Sequence, residues 1–199
     1  MTVSLRRVCV FTGSRPGARP EYMEGARALG KELAARKLCL VYGGASVGLM
    51  GALADSMLDA GGEIIGVIPS WLTDREIGHT RLADLRVVGS MHERKALMAE
   101  LSDAFIAMPG GFGTFDETFE IITWAQIGLH AKPVGLLDVA GFFEPVTALM
   151  EHVVREGFAA KEHASLVVKR VLPSDLLDAL AAFEPPALGP KWTDIRARG

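Results

Sequence analysis

A chain of 199 residues has room for one domain and a short tail, and 49% hydrophobic against 23% charged residues is the balance of a globular core. A formal net charge of -3 excludes a general field that draws in nucleic acid, so an anionic ligand has to be held locally. No run approaches the ~18 apolar residues of a membrane span, and MTVSLRRVCVF leads into a strand pattern rather than a signal peptide, so a cytoplasmic protein with no membrane partner is expected.

Seven short apolar runs follow in chain order: RRVCVFTG (6–13), LCLVYGG (38–44), EIIGVIP (63–69), LRVVGS (85–90), AFIAMPGG (104–111), PVGLLDV (133–139) and SLVVKRV (165–171). Helical patterns lie between them. Residues 22–36 put Ala26, Leu29 and Leu33 on one face, and residues 46–60 do the same with Val47, Met50, Ala54 and Leu58. Strand and helix in alternation predict a Rossmann-like, doubly wound α/β fold, its mainly parallel sheet covered by helices on both faces. Segment 114–129 carries Phe115, Phe119, Ile121, Ile122, Trp124, Ala125, Ile127 and Leu129 on more than one stripe, which fits a central helix or a homodimer interface. SDLLDALAAF predicts a last amphipathic helix, giving a nucleotide-binding domain over 1–182 and a Pro-rich, loose tail over 183–199. Cys9 and Cys39 lie in strand runs without metal or redox spacing and read as buried free thiols.

Three glycine turns fall where a predicted strand hands over to a helix: Gly13-Ser14, Gly43-Gly44 and Gly110-Gly111. All three therefore share the carboxyl edge of the sheet, where open α/β folds bind ligands. Glycine lets backbone N–H groups approach an anion closely, and a few such bonds at a helix N-terminus, each worth roughly 1.5–3 kcal/mol when charge-assisted, hold a phosphate without net basic charge. Tight turns alone account for each glycine equally well. Neither G-x-G-x-x-G nor G-x-x-x-x-G-K-[ST] occurs, which lowers the dinucleotide-oxidoreductase and P-loop readings.

Two charged residues stand out. Ser90 and Glu93 have capping-box spacing and start a helix whose apolar stripe is Met91, Met98 and Leu101; Arg94 falls on that stripe. A buried arginine needs an anion, either a carboxylate of the protein or a ligand. Lys95 borders the stripe and fits a solvated lysine too. Thr114 and Glu117 have T-x-x-E spacing, so Glu117 is either a helix cap or, one turn from the phosphate loop, a carboxylate placed to stabilise positive charge or activate water. The five histidines show no ligand pairing, and no metal is implied.

PGGFGTFDE (109–117), SMHERK (90–95), YGGASVGLMG (42–51) and FTGS (11–14) together resemble the LOG ("Lonely guy") family of cytokinin riboside 5'-monophosphate phosphoribohydrolases, often labelled lysine decarboxylases. The resemblance runs from about Arg7 to Val171. It implies a Rossmann-like dimer, without a cofactor, that hydrolyses the N-glycosidic bond of adenine-type nucleoside 5'-monophosphates to free base and ribose 5-phosphate. By matching position, it assigns catalysis to Arg94 and Glu117. It assigns substrate binding to Glu76, Lys95, Gly110, Gly111, Gly113, Thr114 and Asp116, to which the turns add Gly13, Ser14, Gly43 and Gly44. Departures are Thr12 where many members have Cys, Ala45 where a third Gly is usual, and Asp116 where relatives often have Glu. These bear on side-chain or base preference more than on the reaction. Two rivals stand beside this reading. A pyridoxal-phosphate lysine decarboxylase needs a Schiff-base lysine that the short chain does not single out. A non-catalytic nucleotide or molybdenum-cofactor carrier of similar fold needs the phosphate loop but not the charged pair.

Overall fold

In a computed structural model, described for residues 4–73 and 78–187, each of the seven apolar runs contains a strand. They are β1 (Arg7–Phe11), β2 (Cys39–Tyr42), β3 (Ile64–Pro69), β4 (Asp84–Val88), β5 (Ala104–Ala107), β6 (Val134–Leu137) and β7 (Val167–Arg170). Every pairing is parallel and the spatial order is β4-β3-β2-β1-β5-β6-β7. Succession reverses between β1 and β5, so the crevice at their carboxyl ends is the topological switch point of the sheet.

Helices α1 (Pro20–Ala35), α2 (Gly48–Asp59), α3 (Ser70–Thr73), α4 (Met91–Leu101), α5 (Phe112–Gln126), α6 (Glu144–Arg155) and α7 (Pro173–Ala181) connect the strands. Alternation along β1 shows why the runs are apolar throughout. Val8 and Val10 point to the face covered by Leu29 and Leu33 of α1, Leu53 and Met57 of α2 and Leu176 and Leu180 of α7. Cys9 and Phe11 point to the other face, against Met98 and Ala99 of α4 and Ile121 of α5. Both cysteines are free and buried, and burial pushes both thiols up, so neither offers a thiolate.

Boundaries shift by two or three residues from the sequence pattern. Val47 is the N-cap of α2 and is exposed rather than part of its buried face. Helix α5 starts at Phe112 and ends at Gln126, leaving Ile127 and Leu129 exposed in the turn that follows. Helices α3 and α6 have no predicted counterpart. The first is one turn, and the second buries no residue fully. Phe183, just beyond α7, is buried, and residues 188–199 of the expected tail lie outside the described region. No helix among the described residues is long and apolar enough to cross a membrane.

Candidate active site

Two loops meet at the switch point. The Gly13 N–H and the Thr12 hydroxyl both donate to the Pro109 carbonyl at 3.1 Å, and the Met108 N–H donates to Phe11 O at 2.9 Å. This stapling brings Gly13 so close to the β5 loop that a Cβ there would stand 3.1 Å from the Gly110 Cα. Ser14, exposed, is wedged against the start of α2, where a Cβ on Gly48 would lie 2.3 Å from the Ser14 carbonyl carbon.

The helix N-termini reached by these loops differ in kind. At α2 the Gly13 carbonyl accepts from Leu49 N at 3.1 Å and from Met50 N at 3.3 Å, so backbone already fills that end. At α5 the N-cap is Gly111 and no side chain caps the helix. Gly111 and Gly113 have open space where a Cβ would be, Phe112 between them is 94% exposed, and Thr114 folds back over Gly110. A bare, positively polarised helix end with glycines facing open space is able to receive an anion.

One step away lies the charged pair. Helix α4 is capped at Ser90, whose hydroxyl accepts from Glu93 N at 3.1 Å; the Glu93 carboxylate accepts from Gly89 N at 2.7 Å, one residue short of the reciprocal bond a capping box would make. The expected stripe is only partly apolar and buried: Met98 is buried, Leu101 half-buried and Met91 exposed, while Arg94 itself is buried among them. Its Nε donates to Val67 O at 3.1 Å and its Nη1 to Glu117 Oε1 at 2.6 Å. Both side chains of this ion pair are 9% exposed. The anion that Arg94 needs is thus a protein carboxylate. Among the described residues no protein group pairs with Arg94 Nη2 or Glu117 Oε2, which leaves one donor and one acceptor of the pair for a ligand.

Glu117 is not a helix cap. Thr114 sits two residues inside α5, whose N-cap is Gly111, and the Glu117 carboxylate turns away from the helix end towards Arg94. Burial raises the pKa of Glu117 above the ordinary 4.5, against the lowering effect of the Arg94 charge and hydrogen bond. Lys95 is not a solvated lysine either. Its Nζ lies 3.1 Å from Asp116 Oδ2 and 3.0 Å from Glu120 Oε2. Burial works against its charge, but the hydrogen bonds to Glu120 and Asp116 outweigh it and raise its pKa, which disfavours the neutral amine that a Schiff base requires.

The Gly43-Gly44 turn reaches the same place from β2. Glu76 lies outside the described residues. Just past it, Gly78 bridges to Ala45 and His79 N donates to Gly44 O at 2.9 Å, so the chain resumes beside this turn. Sequence reasoning passed over His79, a buried side chain whose Nε2 meets Asp55 at 3.3 Å while Arg81 bridges Asp55 and Asp59 of α2. Acids four apart on α2 were the available signal. Among the described residues no cluster of metal-ligating side chains occurs.

With this geometry in hand, known proteins give the family. A family model described as "Possible lysine decarboxylase" matches residues 50–180. The probable cytokinin riboside 5'-monophosphate phosphoribohydrolase LOGL9 of Oryza sativa subsp. japonica is 49% identical over 180 residues, 90% of this chain and 79% of that protein. The cytokinin riboside 5'-monophosphate phosphoribohydrolase LOG3 of Arabidopsis thaliana is 44% identical over 90% of this chain and 84% of its own. The chain belongs to the LOG family. Membership places it among enzymes that cleave an N-glycosidic bond, and segments 42–51, 90–95 and 109–117, which carry the resemblance noted above, come together around Arg94. A solved molybdenum cofactor binding protein from Rippkaea orientalis has a TM-score of 0.69 at 22% identity, covering 89% of this chain and 96% of that one. That likeness is one of fold alone.

Proposed function

We propose that this LOG-family chain hydrolyses the N-glycosidic bond of adenine-type nucleoside 5'-monophosphates, AMP or a cytokinin riboside 5'-monophosphate, to free base and ribose 5-phosphate. The observation that carries the reading is the buried Arg94–Glu117 pair set beside an uncapped, glycine-flanked helix end at the switch point. The 5'-phosphate would sit on the N-terminus of α5, held by Gly110, Gly111, Gly113 and Thr114. As the bond from C1' to the base nitrogen lengthens, its electron pair leaves with the base and positive charge grows on the ribose. The ionised Glu117 carboxylate stabilises that charge and orients the water whose oxygen bonds to C1'; one proton of this water ends on the departing base. Arg94 holds Glu117 in place, and its Nη2, unpaired among the described residues, has hydrogens left for the ligand. Lys95, fixed by Asp116 and Glu120, contributes positive charge on the same side.

Catalysis in this form needs Glu117 ionised. Because burial raises its pKa, the acidic limb of kcat/KM is expected above the 4.5 of an ordinary glutamate, activity falling as pH drops through it. A pH profile on AMP, with substrate well below KM, measures this limb. A limb at or below 4.5 would remove Glu117 as the titrating group.

The test of the reading itself is release of base from AMP, from isopentenyladenosine 5'-monophosphate and from the matching nucleosides. Monophosphates are expected to turn over and nucleosides to turn over poorly, since only the former use the anchor. Tight binding without turnover of any monophosphate would favour the carrier. The exposed Phe112 and Phe119 of α5, with Ile127 in the turn after it, support docking of a second copy, and light scattering is expected to give a dimer mass.

A further inference from the structure

Gly43 and Gly44 are neighbours in one turn, yet their glycines answer to different constraints. Gly44 has a φ of +73°, a backbone conformation that a side chain strains. Gly43 carries no such constraint, because its φ lies outside the left-handed region. What excludes a side chain at Gly43 is Arg94. A Cβ there would stand 2.1 Å from Arg94 Nη2 and 3.3 Å from its Cζ, with the flexible Met50 thioether at 3.1 Å as the other close neighbour. An arginine held by Val67 O through Nε and by Glu117 through Nη1 cannot swing aside without giving up one of these bonds.

We propose that Gly43 is a positioning residue: its missing side chain is the notch in which the Arg94 guanidinium lies, and it acts on the reaction through the Arg94–Glu117 pair rather than by touching phosphate. The effect on turnover rests on the function proposed above, whereas the notch does not. This separates Gly43 from Gly110, Gly111 and Gly113, of which the last two face open space. The turn after β2 thereby serves the charged pair, and the anion is left to the loop after β5.

A stability cycle tests the notch independently of any substrate. Gly43→Ala is expected to lower Tm by about 3–6 °C in the wild-type background, as overpacking does in a domain of this size, and by under about 1 °C when Arg94→Ala has removed the guanidinium. Arg94→Gln, whose amide ends short of Gly43, supplies the same cycle should the alanine variant not fold. Equal losses in both backgrounds would overturn the proposal, because the added methyl would then be meeting something other than Arg94. In the pH profile, Gly43→Ala loosens Arg94 from Glu117 and so removes a lowering influence on the carboxyl. The acidic limb of kcat/KM is expected to move to higher pH, with kcat falling more than KM rises. An unmoved limb with a selective rise in KM for monophosphates would overturn it in favour of direct phosphate contact. Failure of every nucleotide to react in the wild type would count against the proposed function while leaving the stability cycle to decide the notch.

Discussion

Glu117→Gln is expected to reduce hydrolysis of nucleoside monophosphates by about 10²–10⁴ while binding of the substrate survives. The substitution keeps size and an acceptor for Arg94 Nη1, so α4 and α5 stay in register. The proposed phosphate seat at the start of α5 lies a turn away and is untouched. What disappears is the negative charge that, in the proposed mechanism, faces the developing positive ribose. Calorimetry with AMP should therefore return a Kd near the wild-type value, and base release should be lost. Wild-type rates in the variant would remove the carboxylate from the mechanism. Loss of both binding and turnover would mean that Glu117 holds the site's shape rather than its chemistry.

Arg94→Ala should be the more damaging change to the fold. It leaves Glu117, 7% exposed, without its partner, and breaking a buried pair from one side costs about 3–5 kcal/mol. For a chain of this size that corresponds to a fall in Tm on the order of 10 °C. The loss should depend on pH in a definite direction. Glu117 already has a raised pKa in the native state, and losing the Arg94 charge raises it further. A carboxyl whose folded pKa exceeds its unfolded one destabilises the fold progressively as pH rises from the unfolded towards the folded value. The variant should thus be closest to wild type in mild acid, where Glu117 takes up a proton, and furthest from it at neutral pH. Adding Glu117→Gln to Arg94→Ala should recover much of the loss at neutral pH. Thermal melts of both variants across this range check the sign, and a loss independent of pH would contradict it.

How legible all this was in the sequence varies by residue. The seven strands were plain because a parallel sheet buried on both faces writes itself as unbroken apolar runs: Val8 and Val10 serve one layer, Cys9 and Phe11 the other. Arg94 was conspicuous for the opposite reason, as a charge on a stripe that buries itself. The sequence could not choose its partner, since Glu117 lies 23 residues away and only the fold, with α4 leading into β5 and α5 leading out of it, brings the two side chains together. Thr114 and Glu117 left two readings open: their spacing fits a cap, but the N-cap of α5 is Gly111, three residues before Thr114, and the Glu117 carboxylate turns to Arg94. Val146, Leu149 and Val153 carry the 3–4 spacing of α6, yet that helix was overlooked. Its half-covered stripe sits between two short strands whose apolar runs dominate the pattern. Gly43 was legible only as a glycine in a turn. That it is a cut-out for a guanidinium depends on a residue 51 positions further along.

The Gly13 carbonyl, which accepts from Leu49 N and Met50 N in the first turn of α2, bears on the length of ligand that the proposed site would suit. Dinucleotides and nucleoside polyphosphates spread their charge over several phosphoryl groups and gain from a row of helix ends to receive them. Of the two helix ends beside the Gly13 and Gly110 loops, that of α2 is bonded to the neighbouring backbone and that of α5 has no side-chain cap. The single terminal phosphoryl group of the proposed substrate matches the uncapped end of α5, and a further phosphoryl group reaching towards α2 would meet N–H groups already bonded to the protein's own backbone.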